Sequence, residues 1–218
     1  MNRRSFKRFA CGVAFFALGG TAAGALQAVR HNAAAVAATP RRATASVASA
    51  NRIAVSAAML RQAYSEGAID RPIRTILNVP TRMHYGDFRW DDQGVPAGPT
   101  WIRVDLQAQL LSVFRGGNEI GTAVILYGAD GVPTPTGKFP ILAKMKDHRS
   151  STYDGAPMPY TLRLTSDGVS IHASNVRWGY ATHGCIGVPA AFAERLFAAA
   201  AVGDEVIITA GTPRRGSA

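Results

Sequence analysis

The chain is predicted to be mostly β with minor α, a small β-sandwich or barrel-like domain carrying one late helix. Three observations predict it. Short apolar segments follow one another closely from Trp101 onward, turn residues separate them, and one clear helical signal appears near the C-terminus.

Trp101–Leu106 and Leu110–Phe114 flank Gln107-Ala108-Gln109 in the pattern of a β-hairpin. Gly116-Gly117-Asn118 turns the chain into a third strand, Glu119 to Tyr127. Pro133 to Gly137 reads as a rigid loop. Further strands are expected over Phe139 to Met145 and Tyr160 to Thr165. Ser166-Asp167-Gly168 then turns into a short strand-like run ending at Ile171-His172. Ala173 to Ala181, with Asn175 and Gly179, reads as a loop. Pro189 opens a helix through Phe197, at a position where its missing N–H costs nothing. Val202-Gly203-Asp204 leads to a last strand, Glu205 to Thr209.

Upstream of residue 99 the signals are weaker. Ile53, Ala57, Leu60 and Tyr64 approach helical spacing, and Glu66-Gly67 would stop that helix. Ile73 to Val79 is a candidate strand ended by Pro80. Residues 80–100 are rich in Gly, Pro and Asp and read as an ordered loop or cap. His84, Tyr85 and Trp90 there either line a groove or pack against the main domain.

The formal charge of +10 is unevenly placed. Residues 1–50 hold seven Lys or Arg and no Asp or Glu, which leaves an excess of three for the remainder. A nucleic-acid binder should carry a basic patch within its folded domain, and none stands out. The N-terminal charge has its own reading. Arg3, Arg4, Lys7 and Arg8 precede a weakly apolar run from Phe9 to Ala28, the pattern of an export signal. Arg3-Arg4-Ser5-Phe6-Lys7 resembles a twin-arginine signal. A run of this length could instead stay as an anchor, tethering the protein to the membrane through residues 9–28. Residues 29–50 read as an alanine-rich linker. No strongly apolar stripe demands a partner chain, so a monomer is expected.

The chemistry concentrates in one C-terminal stretch. Cys185 is the only cysteine beyond residue 28, and it follows Thr182-His183-Gly184, with His172 thirteen residues before it. The reactive species of cysteine is the thiolate, and a nearby imidazole can generate it. The competing reading makes Cys185 a small buried hydrophobe. Backbone N–H groups ahead of the helix could form an oxyanion hole, and Gly184 permits close approach to a substrate. The layout suits acyl transfer through a thioester. A zinc site from His172, His183 and Cys185 is not expected. There is no His-Glu-x-x-His motif, and the intervening glycine suits a tight turn better than a metal cage. No other cofactor is implied.

Ile171-His172, a loop, and Thr182-His183-Gly184-Cys185-Ile186 together resemble the active-site signature of the L,D-transpeptidases, the YkuD family. Pro133-Thr134-Pro135-Thr136-Gly137-Lys138-Phe139 resembles the family's Thr-Pro-x-Gly-x-Phe segment, and Met158-Pro159-Tyr160 its Met-Pro-Tyr. Trp101–Leu106 with Leu110–Phe114 matches its opening hairpin. One departure stands out: many members carry arginine or asparagine two residues after the cysteine, where this chain has Gly187. The missing fork is one that could bind a carboxylate bidentately. Arg177 is a candidate to replace it, against the reading of a solvated loop arginine.

The resemblance implies a catalytic domain over 99–210, an N-terminal extension or cap over 51–98 and a tail over 211–218. It implies a periplasmic or inner-membrane-anchored enzyme acting on peptidoglycan stem peptides and making 3→3 cross-links. Trimming of stems by hydrolysis and a non-catalytic wall-binding role are the alternatives. Cys185 would be the nucleophile and His172 the base, oriented by the Ala173 carbonyl; from sequence alone His183 competes for that role. His183 and Gly184 would shape the oxyanion site. Thr182 either binds substrate or holds the turn, and Tyr160 and Arg177 are further substrate-binding candidates.

Overall fold

The computed structural model describes residues 51–67 and 69–211. The expected export signal or anchor, the linker and all but the first residue of the tail lie outside the described residues. Twelve strands and two helices are described. The strands are β1 (Arg52–Ala54), β2 (Thr75–Leu77), β3 (Phe88–Trp90), β4 (Thr100–Asp105), β5 (Leu110–Arg115) and β6 (Asn118–Val124). They continue with β7 (Gly137–Pro140), β8 (Ala143–Arg149), β9 (Pro157–Arg163), β10 (Ser170–Ala173), β11 (Ile186–Val188) and β12 (Glu205–Thr209). The helices are α1 (Ala57–Ser65) and α2 (Ala190–Ala199).

An eight-stranded sheet runs β1-β2-β6-β5-β4-β12-β7, with β3 added against β6. A four-stranded sheet runs β11-β10-β9-β8. Neither closes on itself, so the sandwich form of the expectation describes the molecule and the barrel form does not. The apolar face of the large sheet (Ile102, Val104, Leu111, Val113) shares one core with Leu162, Ile171, Ile186 and Val188 of the small sheet and with Phe192 and Leu196 of α2.

The opposite face of the large sheet is also covered. Trp101 and Phe114 stack at 4.2 Å and pack with Ile73, Ile76 and the α1 residue Ala63 in a second core. Residues 51–98, expected as an extension, therefore supply three strands and the cover for this face. The expected helix from Ile53 begins only at Ala57, because Ser56 caps it by accepting from the Met59 N–H. Ile53 instead pairs with Ile76 across β1 and β2. Glu119 fixes the arrangement from within: its buried carboxylate accepts the Leu77 N–H at 2.8 Å and the Ser112 hydroxyl at 2.6 Å. The Arg52 guanidinium donates to the carbonyls of Glu119 and Asp91.

Two expected strands prove to change sheets. The one from Phe139 to Met145 is split at Ile141-Leu142, whose amides bond to Asp204 and Arg163 respectively. β7 thus belongs to the large sheet and β8 to the small one. The one from Glu119 to Tyr127 leaves the ladder after Val124, and Leu126 and Gly128 bridge to Gly187 and Thr182. Residues 80–100 contain a short strand rather than loop alone. Trp90 on it lies over Gly121, where a Cβ would meet the ring at 2.4 Å, and meets Phe192 edge-on. No described helix is long and apolar enough to cross a membrane.

Candidate active site

β10 and β11 run parallel in the register Ile171↔Ile186, His172↔Gly187, Ala173↔Val188. Alternate residues of a strand share a face. Ile171, Ala173, Ile186 and Val188 point into the core. His172 and Gly187 therefore face outward, with Cys185 immediately ahead of β11. The burial of four aliphatic neighbours fixes that orientation.

His172 is half-buried, and its Nδ1 donates to the Ala173 carbonyl at 2.8 Å. A carbonyl only accepts, so the proton sits on Nδ1 and Nε2 keeps its lone pair. Burial lowers the His172 pKa, with His148 adding to the effect, while the bond to Ala173 opposes it. Burial raises that of the Cys185 thiol, and Asp167 adds to it, against a backbone hydrogen bond at Ser170. Sγ lies 3.8 Å from the Gly168 carbonyl. Both shifts favour the uncharged forms, a thiol and a neutral imidazole. His172 also lines a cavity of about 580 Å³ with Gly86, Pro157, Pro159, Asn175 and Pro189.

The turn carrying Cys185 is held from several directions. Leu126 and Gly187 exchange two backbone hydrogen bonds, each 2.9 Å. The Thr182 amide donates to Tyr127 and the Ala129 amide to Thr182. The Thr182 hydroxyl donates to the Cys185 carbonyl, so it is spent on the turn. Gly184 has φ +100°, a conformation side chains disfavour, and a Cβ there would sit 3.6 Å from the Pro133 carbonyl. The proline-rich segment from Pro133 thus backs the turn, and Thr134 ties it down by accepting the Gly128 N–H at 2.9 Å.

The remaining candidates fall elsewhere. His183 is exposed and stacks on Tyr153, ring centroids 4.3 Å apart, beneath the turn joining β8 to β9. Tyr160 turns toward α2, edge-on to Phe197 with Glu194 nearby, and does not line the cavity. Arg177 is exposed, with no ion pair among the described residues. Among the described residues no group of three or more His, Cys, Asp or Glu comes together. Sequence reading missed β11, the Leu126–Gly187 clamp and Tyr153. The apolar pair Ile186 and Val188 flanking Gly187 was the available signal for the strand.

A family model described as the L,D-transpeptidase catalytic domain, YkuD, matches residues 99–208. No curated protein matches the chain. Among solved structures, an L,D-transpeptidase from Stackebrandtia nassauensis is 24% identical, covers 54% of this chain and 58% of its own, and has a TM-score of 0.49. One from Mycobacterium tuberculosis H37Rv is 23% identical, covers 50% and 57%, and has a TM-score of 0.47. A cysteine-to-serine mutant of the Enterococcus faecium L,D-transpeptidase is 26% identical, covers 52% and 50%, and has a TM-score of 0.47. The chain thus spans between half and three-fifths of the length of these structures.

Proposed function

The chain belongs to the L,D-transpeptidase (YkuD) family, and from that membership and the site's geometry we propose that it is a peptidoglycan L,D-transpeptidase. The observation that carries the reading is the placement of Cys185 immediately before β11, the strand paired with that of His172, with His172 Nδ1 bound to the Ala173 carbonyl. Nε2 accepts the thiol proton as Sγ attacks the carbonyl of the third, diamino-acid residue of a donor stem. The C–N bond to the terminal D-alanine breaks, and His172 returns the proton to the departing amine. A thioester remains. An amine on a neighbouring stem then attacks it, gives a proton to His172, and forms a 3→3 amide while the thiol is regenerated.

A neutral starting pair suits this sequence, because the proton moves only as the carbon–sulfur bond forms. The Cys185 amide and the Gly184 turn supply the oxyanion donors. His183, exposed and stacked on Tyr153, shapes the mouth of the site and is not the base. The enzyme works in the periplasm, delivered by the basic and apolar segment over residues 1–28.

Product analysis by mass spectrometry with purified disaccharide-tetrapeptide tests the reading, with His172→Ala and His183→Ala alongside. A dimer lacking one D-alanine, abolished by His172→Ala and reduced but present with His183→Ala, is the expected result. Tripeptide alone would make the protein a carboxypeptidase, with Gly187 as the residue that fails to hold the acceptor. Unchanged substrate would refute catalysis.

A further inference from the structure

The two most exposed aromatic side chains among the large hydrophobics of the described chain are Trp178, 80% exposed, and Tyr180, 62% exposed. Both belong to the loop between His172 and Cys185. A turn with Gly179 at φ +79° and the Tyr180 amide donating to Arg177 brings them to one tip. Exposed rings of this size cost solubility without helping the core, and they mark binding surfaces more often than isolated aliphatic residues do.

The indole is propped rather than free. Tyr85 meets Trp178 edge-on at 5.6 Å, and the Tyr85 hydroxyl donates to Gln109 at 2.8 Å. Gln109, Tyr127, Asp130 and Tyr180 in turn wall a cavity of about 310 Å³ next to the tip. An aromatic face beside amide, hydroxyl and carboxylate groups is the chemistry that recognises a sugar. The C–H face of a pyranose stacks on the ring, and its hydroxyls and acetamido group find donors and acceptors at the edge.

The same loop reaches the reaction site. Its first residues, Ser174 to Val176, line the cavity that contains His172, while Tyr180 and Ala181 line the polar one. A chain of sugars held at the tip would leave its attached peptide within reach of the nucleophile. We infer that the Trp178–Tyr180 tip and the adjoining polar cavity form a glycan subsite that holds the β-linked amino-sugar strand carrying the stem peptide. The inference rests on the proposed action on peptidoglycan, and its test needs no turnover.

The full-length protein with Cys185→Ala is titrated with peptide-free peptidoglycan glycan strands and, separately, with a sugar-free tetrapeptide. Trp178→Ala and Tyr180→Ala, in that background, should each weaken glycan binding roughly ten-fold, as a lost aromatic anchor does. Trp178→Phe should retain most of it, and the affinity for the sugar-free tetrapeptide should not move. Both rings are exposed, so unchanged melting temperatures will show that the variants fold. Glycan binding that is undetectable, or equal in wild type and variants, overturns the subsite. So does loss of binding to anionic phospholipid vesicles in the Trp178 variant without any glycan affinity, which would make the tip a membrane contact. Glycan binding in a protein that shows no peptidase or transpeptidase chemistry would leave the subsite standing and remove the catalytic reading instead.

Discussion

Replacing Gly187 by alanine adds one methyl group on β11 against Ser174, the residue that follows β10. Its Cβ would sit 2.8 Å from the Ser174 Cβ, 3.1 Å from the Ser174 Oγ and 3.4 Å from the Leu126 Cβ. Carbon atoms rest at about 3.5–4.0 Å, so β10 and β11 must part by nearly 1 Å. Overpacking of this kind costs about 1–3 kcal/mol. For a domain of this size each kcal/mol lowers Tm by about 2–4 °C, so a mid-range cost lowers it by roughly 4–8 °C. The functional cost should be larger. Ser174 follows Ala173, whose carbonyl holds His172, and displacement by about 1 Å at a reacting pair costs on the order of 10²-fold in rate. Gly187→Arg, which restores the cation common elsewhere in the family, meets the same collision and gains nothing. Thermal melts and single-turnover acylation of Gly187→Ala measure both effects. Adding Ser174→Gly removes the colliding carbon and should recover most of the rate, a coupling that a double-mutant cycle reports. Wild-type Tm and rate in Gly187→Ala, or no rescue by Ser174→Gly, would refute the reasoning.

Glu119→Ala strips a buried carboxylate from the Leu77 amide and the Ser112 hydroxyl, two hydrogen bonds to a charged group worth about 1.5–3 kcal/mol each, and removes one of the carboxylates around Arg52. Calorimetry should show Tm lower by at least about 6 °C; a shift below about 2 °C would mean that β1 and β2 are not anchored there. Because the reacting form has a neutral imidazole and a protonated thiol, kcat/KM should be flat across neutrality. Its acid limb should fall below the ordinary histidine value, because burial lowers the His172 pKa, and its alkaline limb above the ordinary thiol range. An alkaline limb below the ordinary thiol range would instead indicate a thiolate–imidazolium pair, whose activity ends when the imidazolium loses its proton. Thr182→Val removes the hydroxyl that bonds the Cys185 carbonyl, so kcat should drop roughly ten-fold with KM little changed. A rise in KM at constant kcat would place Thr182 on the substrate.

The hairpin, the late helix and the last strand could be read from the sequence because each is a local pattern. Trp101–Leu106, Pro189 and Glu205–Thr209 carry their own turns and caps. What escaped depends on distant partners. Ile53 looks helical until Ile76 offers it a ladder, and Phe139 to Met145 looks like one strand until two sheets compete for it. At the site, Cys185, His172 and the Ala173 carbonyl were legible from the resemblance together with the spacing of the residues. The outward face of His172 was not, because it follows from the parallel register of β11, three residues long and paired, among the described residues, through β10 and Leu126. Tyr160 lies in a Met-Pro-Tyr segment that suggested substrate contact. Its positive φ of 57° accompanies a side chain directed at α2 instead.

The thioester on Cys185 is the claim on which everything else depends. Mixing the full-length protein with a donor tetrapeptide, quenching within one turnover and weighing the intact protein tests it most directly. The account predicts an adduct equal to the donor stem less its terminal D-alanine. Peptide mapping should place it on Cys185, and Cys185→Ala should show neither adduct nor product. Product formation by Cys185→Ala, or an adduct mapped to any other residue, would contradict the account.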